Sequence, residues 1–219
     1  MKIAVLGTGS VGTTIGDKLI ALGHEVMMGS RDATNPKAAA WVEAAGAGAS
    51  QGTFADAAAF AEVLFNCTAG LHSVAAIEAA GAGNLAGKLL LDLSNPLDFS
   101  AGFPPRLNPV SSDSLGEQLQ RAVPALKVVK TLNTMAAPIM VDPSLVPGDH
   151  VVFVSGDDAE AKAQATMILT EGFGWKHVVD LGDITTARGT EGWLLLWTRL
   201  YGALGTPFFN LELRMGKQG

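Results

Sequence analysis

Short apolar runs alternate with amphipathic stretches along most of this chain, and the alternation predicts strands and helices in turn. Residues 3–6, 25–28, 51–54, 62–67, 88–93, 127–132, 150–155 and 177–180 read as strands. The run at 3–6 is continuously apolar instead of alternating, which marks a strand buried on both faces, as in a parallel sheet. Residues 11–22, 37–45, 72–80, 112–121 and 158–171 read as helices, with a shorter one starting at Phe54-Ala55-Asp56. Several starts carry local signals: Asn35-Pro36, Ser112 or Ser114 with Glu117 as capping-box partner, and Gly156-Asp157-Asp158. Residues 99–109 read as a proline-containing loop able to cover a site. The β-α-β rhythm is predicted to persist to Asp180 without a linker. The segment 181–219 differs, because Trp193, Trp197 and Leu200 recur at helical spacing and give one strongly apolar face. That face suits a core or dimer-contact helix, or else aromatic walls for a planar ligand. The expected organisation is therefore a nucleotide-binding domain over 1–180 and a C-terminal helical segment over 181–219, forming an acceptor pocket or dimer contact.

The first strand runs into Gly7-Thr8-Gly9-Ser10-Val11-Gly12, which matches G-x-G-x-x-G between a strand and a helix. Gly7 permits the tight turn, Gly9 removes a side chain where a pyrophosphate approaches backbone, and Gly12 lets helix and strand pack closely. The helix start adds free N–H groups and a positive dipole end. The fold class expected is α/β, Rossmann-type and doubly wound, with a mainly parallel sheet and a small C-terminal helical part. After the second strand, an NAD enzyme places an acidic residue; here the chain reads Gly29-Ser30-Arg31, a hydroxyl and a guanidinium suited to a 2′-phosphate. NADP(H) is the cofactor expected. Asp32 is one place late for the NAD role and is expected to cap or face solvent. Lys37 can add a second positive charge near this turn, or simply be a solvated helix residue.

Composition narrows the picture. With 48% hydrophobic and 16% charged residues the chain is globular, and a net charge of -6 with no basic run argues against a nucleic-acid partner. One cysteine, Cys67, excludes an internal disulfide and a cysteine-rich metal site, which fits a reducing cytoplasm; it reads as a small buried hydrophobe. The N-terminal apolar run stops at Gly7 and is not a signal peptide. The apolar segment 193–211 contains Arg199, glycines and Pro207, so no membrane span is expected.

In a doubly wound sheet ligands sit at the carboxyl ends of the strands. Thr68 and Ala69 are therefore expected beside the cofactor, as is Asn95, whose amide can donate to and accept from a carboxamide. Asn133 ends another strand. His72 opens the following helix, where a structural or capping role takes precedence over catalysis. Lys130 has no substrate-activating motif around it and reads as a strand-end lysine. His150 and His177 fall at strand starts, the end opposite the expected site.

These landmarks resemble the family of coenzyme F420-dependent NADP reductases and the related NADPH-oxidoreductase domain of the STEAP metalloreductases. The resemblance rests on Gly7 to Gly12, Gly29 to Arg31, KLLLDLSNP at 88–96, and the run from Lys127 through Ala137 into VFVSGDD at 152–158. Asp180-Leu181-Gly182, Ala187-Arg188 and Glu191 resemble the family's C-terminal part. It implies a Rossmann domain with a small helical part, usually dimeric, in which the nicotinamide lies against a second planar redox cofactor. By position, Thr8, Ser10, Val11, Ser30 and Arg31 would bind the adenosine and phosphate end. Thr68, Ala69, Asn95, Asn133 and Ala137 would line the nicotinamide end. Two departures bear on the acceptor: Ala69-Gly70 stands where archaeal F420 enzymes carry proline-tryptophan, and no basic cluster for a polyglutamyl tail is visible near the C-terminal pocket.

The activity expected is hydride transfer between NADP(H) and F420 or a flavin (FMN or FAD), with no acid-base residue and no metal, since the cofactors carry the chemistry. The alternatives are an NADP-dependent dehydrogenase or imine reductase of a small organic substrate, and a non-enzymatic NADP(H)-binding redox sensor.

Overall fold

The computed structural model describes residues 1–216, so the last three residues of the expected 181–219 segment lie outside the described residues. The chain begins with β1 (Lys2–Leu6), α1 (Ser10–Ala21), β2 (Glu25–Ser30), α2 (Pro36–Ala45) and β3 (Ala49–Thr53). It continues through α3 (Phe54–Phe60), β4 (Val63–Asn66), α4 (Gly70–Ala80), α5 (Ala82–Leu85) and β5 (Leu89–Asp92). The expected loop at 99–109 contains part of a small hairpin, β6 (Leu97–Asp98) with β7 (Arg106–Leu107). Then come α6 (Leu115–Ala122), β8 (Lys127–Thr131), α7 (Ala137–Val141), β9 (Val152–Ser155), α8 (Ala159–Met167), β10 (Val178–Asp180), α9 (Ala187–Gly192) and α10 (Leu194–Leu204).

Eight strands form one sheet in the order β10-β9-β8-β5-β4-β1-β2-β3, and all neighbours from β8 to β3 run parallel. The pleat divides each strand between two cores. Ile3 and Val5 join Ile15, Leu19 and Phe65 on one face, while Ala4 and Leu6 join Leu64, Ala76 and Leu119 on the other. Both faces are covered, which is why the central strand β1 carries an unbroken apolar run at residues 3–6.

The expected rhythm breaks after β8. β9 pairs antiparallel to β8, with Lys130 opposite Ser155 and Thr131 opposite Val154, and β10 runs parallel to β9. The cause lies in the connection. Its one α-helix, α7, has five residues and rises only about 7 Å, against roughly 16 Å for a five-residue strand, so it does not carry the chain back along the sheet as the earlier crossover helices do. Pro143 and Pro147 follow at once, and the chain re-enters the sheet where β8 left it. His150 and His177, at the starts of β9 and β10, therefore lie at the same edge as the carboxyl ends of the parallel strands, not opposite them.

β1 sits between β2 and β4, so the chain's direction of winding reverses at these strands. The carboxyl ends of β1 and β4 form the switch point where such sheets hold ligands.

Candidate functional site

Three segments meet at the switch point. The first is the glycine turn. Gly7 has φ +117°, a conformation L side chains rarely adopt, and its N–H donates to Gly29 O across the β1–β2 edge. A methyl group on Gly12 would land 2.1 Å from Gly7 O, so α1 packs against the turn only because that position is bare. Gly9 caps α1 with no side chain and faces open space, leaving the first N–H groups of a twelve-residue helix without a side-chain partner. Thr8 lines the cavity beside this turn, Ser10 is exposed, and Val11 packs against the core.

The second segment follows β2. Ser30 is buried and its hydroxyl donates to Asp32 O at 2.6 Å, so its proton is used within the turn. Asp32 is exposed, and bonds from the Thr34 N–H and hydroxyl hold its carboxyl below the usual carboxylate range. Arg31 projects into the cavity and makes no ion pair among the described residues. Lys37 is exposed in the first turn of α2, whose cap Asn35 accepts from Lys37 N and Ala38 N.

The third segment follows β4. Thr68 donates to Asn66 Oδ1 at 2.7 Å and meets Ser73 Oγ at 2.6 Å, while Ala69 is exposed and caps α4. Together these segments enclose a cavity of about 430 Å³ lined by Gly7, Thr8, Gly9, Arg31, Thr68 and Ala69, with Phe54, Cys67, His72, Ala75, Ala76 and Ala79. Phe54 and the alanines of α4 escaped the sequence reading. Their signal was weak, a row of small residues along one helix face. Burial, and the Asp92 carboxylate, push the Cys67 thiol well above its ordinary pKa, which leaves it a thiol and not a nucleophile.

Asn95 and Asn133 come together at the ends of β5 and β8. Asn95 Nδ2 donates to Asn133 O and Asn133 Nδ2 donates to Asn95 Oδ1, each at 2.9 Å. Each amide thus spends part of its capacity on the other, and Asn133 Oδ1 keeps its lone pairs. Leu132 makes the turn between strand and amide at φ +60°, a left-handed conformation that costs a branched residue roughly 1 kcal/mol or more. Ala137 opens α7, four residues after Asn133, and is part-buried. Gly70, noted in the sequence only as a departure from the archaeal F420 enzymes, brings α4 onto Asn95 O so closely that a methyl group would lie 2.0 Å away.

The C-terminal helices close this edge. Trp193 Nε1 donates to Thr134 O at 3.0 Å. Trp197 stacks on Tyr201 and Phe209, with ring centroids at 5.6 and 5.4 Å, so its ring serves packing within the chain. Among the described residues no cluster of His, Cys, Asp and Glu can hold a metal ion, and no helix is long and apolar enough to cross a membrane.

Comparison with known proteins agrees with this geometry. The family model for coenzyme F420-dependent NADP oxidoreductases matches residues 2–96. A crystal structure from Arthrobacter sp. FB24, provisionally assigned as an F420-dependent NADP reductase, is 55% identical and covers 98% of this chain and 100% of its own, with a TM-score of 0.93. Metalloreductase STEAP3 of Rattus norvegicus is 32% identical over 193 residues, which are 87% of this chain and 36% of that protein. This chain thus spans about a third of the length of that curated relative. A reductive aminase from Aspergillus terreus, solved with NADPH and ethyl-5-oxohexanoate, is 25% identical with a TM-score of 0.65, covering 93% of this chain and 62% of its own.

Proposed function

We propose, for a chain that belongs to the family of coenzyme F420-dependent NADP oxidoreductases, hydride transfer between NADP(H) and a second planar redox cofactor, either F420 or a flavin. The family membership makes it an NADP-dependent oxidoreductase; the identity of the second partner is our reading. The observation that carries NADP(H) is a cavity with an uncapped helix start at one wall and the unpaired Arg31 guanidinium at another. Such a cradle suits a pyrophosphate and a 2′-phosphate respectively. In this reading Thr8, Gly9, Ser10 and Val11 face the pyrophosphate, Arg31 and Lys37 the 2′-phosphate, and Ser30 shapes the turn that presents Arg31.

Thr68, Ala69, Asn95, Asn133 and Ala137 then border the nicotinamide. When bound, the nicotinamide supplies or accepts the hydride and the second ring system is its counterpart. The chain's own task is to hold the carboxamide through Asn133 Oδ1 and to exclude water. In this reading the reaction needs no proton from the protein, since hydride passes directly between the two ring systems.

We propose, in addition, that the chain pairs as a homodimer. α10 buries only Leu194 and Thr198 and leaves Leu195, Leu196, Tyr201 and Leu204 exposed, with Phe103 across from Gly202. A second copy packed against these side chains would take their exposed apolar surface out of water.

The relation to the Aspergillus reductive aminase keeps a second reading in view, reduction of a small carbonyl or imine. The test is anaerobic NADPH oxidation with F420, with FMN or FAD, and with a panel of ketones and amines. Turnover with F420 or flavin is expected; turnover with the organic panel alone would sink the leading reading.

A further inference from the structure

A connected set of buried polar groups runs beneath the nicotinamide edge and ends in the C-terminal helices. Lys130, on β8, is fully buried. Its Nζ lies 2.6 Å from Asp92 Oδ2 on β5, 2.8 Å from Glu191 Oε1 on α9, and donates to Ser94 O at 2.8 Å. Asp92 Oδ1 accepts from Asn66 Nδ2 at 2.8 Å, from Ser94 N at 3.1 Å and from Ser94 Oγ at 2.6 Å. Asn66 Oδ1 accepts in turn from Thr68 Oγ1, at the rim of the cavity. Glu191 accepts from Leu115 N and Gly116 N at 2.9 and 3.0 Å, the first N–H groups of α6.

The ammonium donates to Ser94 O and lies within ion-pair distance of two carboxylates, so groups of the chain itself surround it. Burial opposes its charge, yet Asp92 and Glu191 outweigh that and hold its pKa above the ordinary lysine value. A buried ion pair is a poor device for stability alone, since well-packed apolar residues of similar volume often do as well. What this one specifies is geometry. Ser94 is held at its N–H, hydroxyl and carbonyl, which leaves the following residue, Asn95, little freedom. Asn133, three residues beyond Lys130 on the same segment, is joined to Asn95 by the reciprocal amide bonds.

We propose that Lys130, with Asp92 and Glu191, positions the nicotinamide end of bound NADP(H) by locking Thr68, Asn95 and Asn133 into one register and tying them to α9. The proposal rests on the NADP(H) reading of the cavity. The adenosine end is bordered by β1 and β2, whose residues contribute nothing to this network. The two halves of the cofactor should therefore respond differently when it is disturbed.

The experiment uses Lys130→Met, Glu191→Gln and the milder Ser94→Ala, each assayed well below its own melting temperature. Dissociation constants are measured for NADPH and for 2′,5′-ADP, which carries the adenosine and 2′-phosphate but no nicotinamide. NADPH fluorescence on binding reports the nicotinamide directly. The expected result is a 2′,5′-ADP Kd within about twofold of native, an NADPH Kd raised about tenfold or more, and loss of the nicotinamide fluorescence change. Parallel weakening of both ligands, or no change in either, would overturn the positioning role. Should Lys130→Met fail to fold, the other two variants carry the same comparison. Failure of 2′,5′-ADP to bind the native protein would instead remove the NADP(H) reading and the proposal with it.

Discussion

Replacing Gly70 by alanine tests the contact that closes the nicotinamide edge. Gly70 is the first residue of α4 and its φ lies outside the left-handed region, so alanine is free to adopt the backbone conformation and the effect is purely steric. The added methyl would stand 2.0 Å from Asn95 O, 2.5 Å from Asn95 C and 2.8 Å from Pro96 Cα. All three are backbone atoms that no rotamer change can move aside. An ordinary carbon–oxygen contact is about 3.3 Å, so α4 and Asn95 must part by more than about 1 Å. Asn95 cannot yield cheaply, because both its amide bonds to Asn133 are 2.9 Å long and a shift of that size breaks them. Overpacking of this kind costs about 1–3 kcal/mol, and each lost hydrogen bond adds about 1 kcal/mol. For a chain of this size the sum of about 3–5 kcal/mol corresponds to a melting temperature lower by roughly 6–20 °C. Scanning calorimetry measures that directly. NADPH affinity should fall alongside, while 2′,5′-ADP affinity holds. A Gly70→Ala protein with native melting temperature and native NADPH affinity would refute the claim that α4 is wedged rigidly against Asn95.

Three further outcomes are expected. Arg31→Ala should raise the NADPH dissociation constant about tenfold or more through loss of a charge-assisted bond, and leave NADH affinity unchanged; titration with both nucleotides checks it. The Arg188 guanidinium, bonded at 2.6 and 2.8 Å, holds the Glu117 carboxyl below its ordinary pKa against the opposing effect of burial. A carboxyl depressed in the folded state stabilises above its unfolded pKa of about 4.3 and loses that contribution as pH falls through the lower folded value. The stability gap between native protein and Glu117→Gln, from urea unfolding at several pH values, should therefore be widest above about pH 5 and shrink in acid. Leu196→Asp, among the exposed apolar residues of α10, should halve the mass found by sedimentation if this helix joins two copies; an unchanged mass would remove the dimer reading.

Much of this molecule is determined locally and is therefore legible in the sequence. The strand, glycine turn and helix at the N-terminus follow from backbone needs at Gly7, Gly9 and Gly12, which no distant residue alters. Continuous apolarity at 3–6 announces a strand covered on both faces, and Asn35 and Ser114 mark helix starts through bonds within three residues. Other features arise only when distant segments meet. The direction of β9 depends on whether the connection can cross the sheet, so His150 and His177 changed edge although their strands were read correctly. Asn95 and Asn133 are 38 positions apart, and their shared bonds decide which amide atoms remain for a ligand. Lys130 looked like an ordinary strand-end lysine because Asp92 and Glu191, the groups that make its burial tolerable, lie on β5 and α9. A periodic pattern records which face a residue turns to the core. The partner waiting there is chosen by the folded chain, since hydrogen bonds and ion pairs act over a few ångströms of space whatever the distance along the sequence.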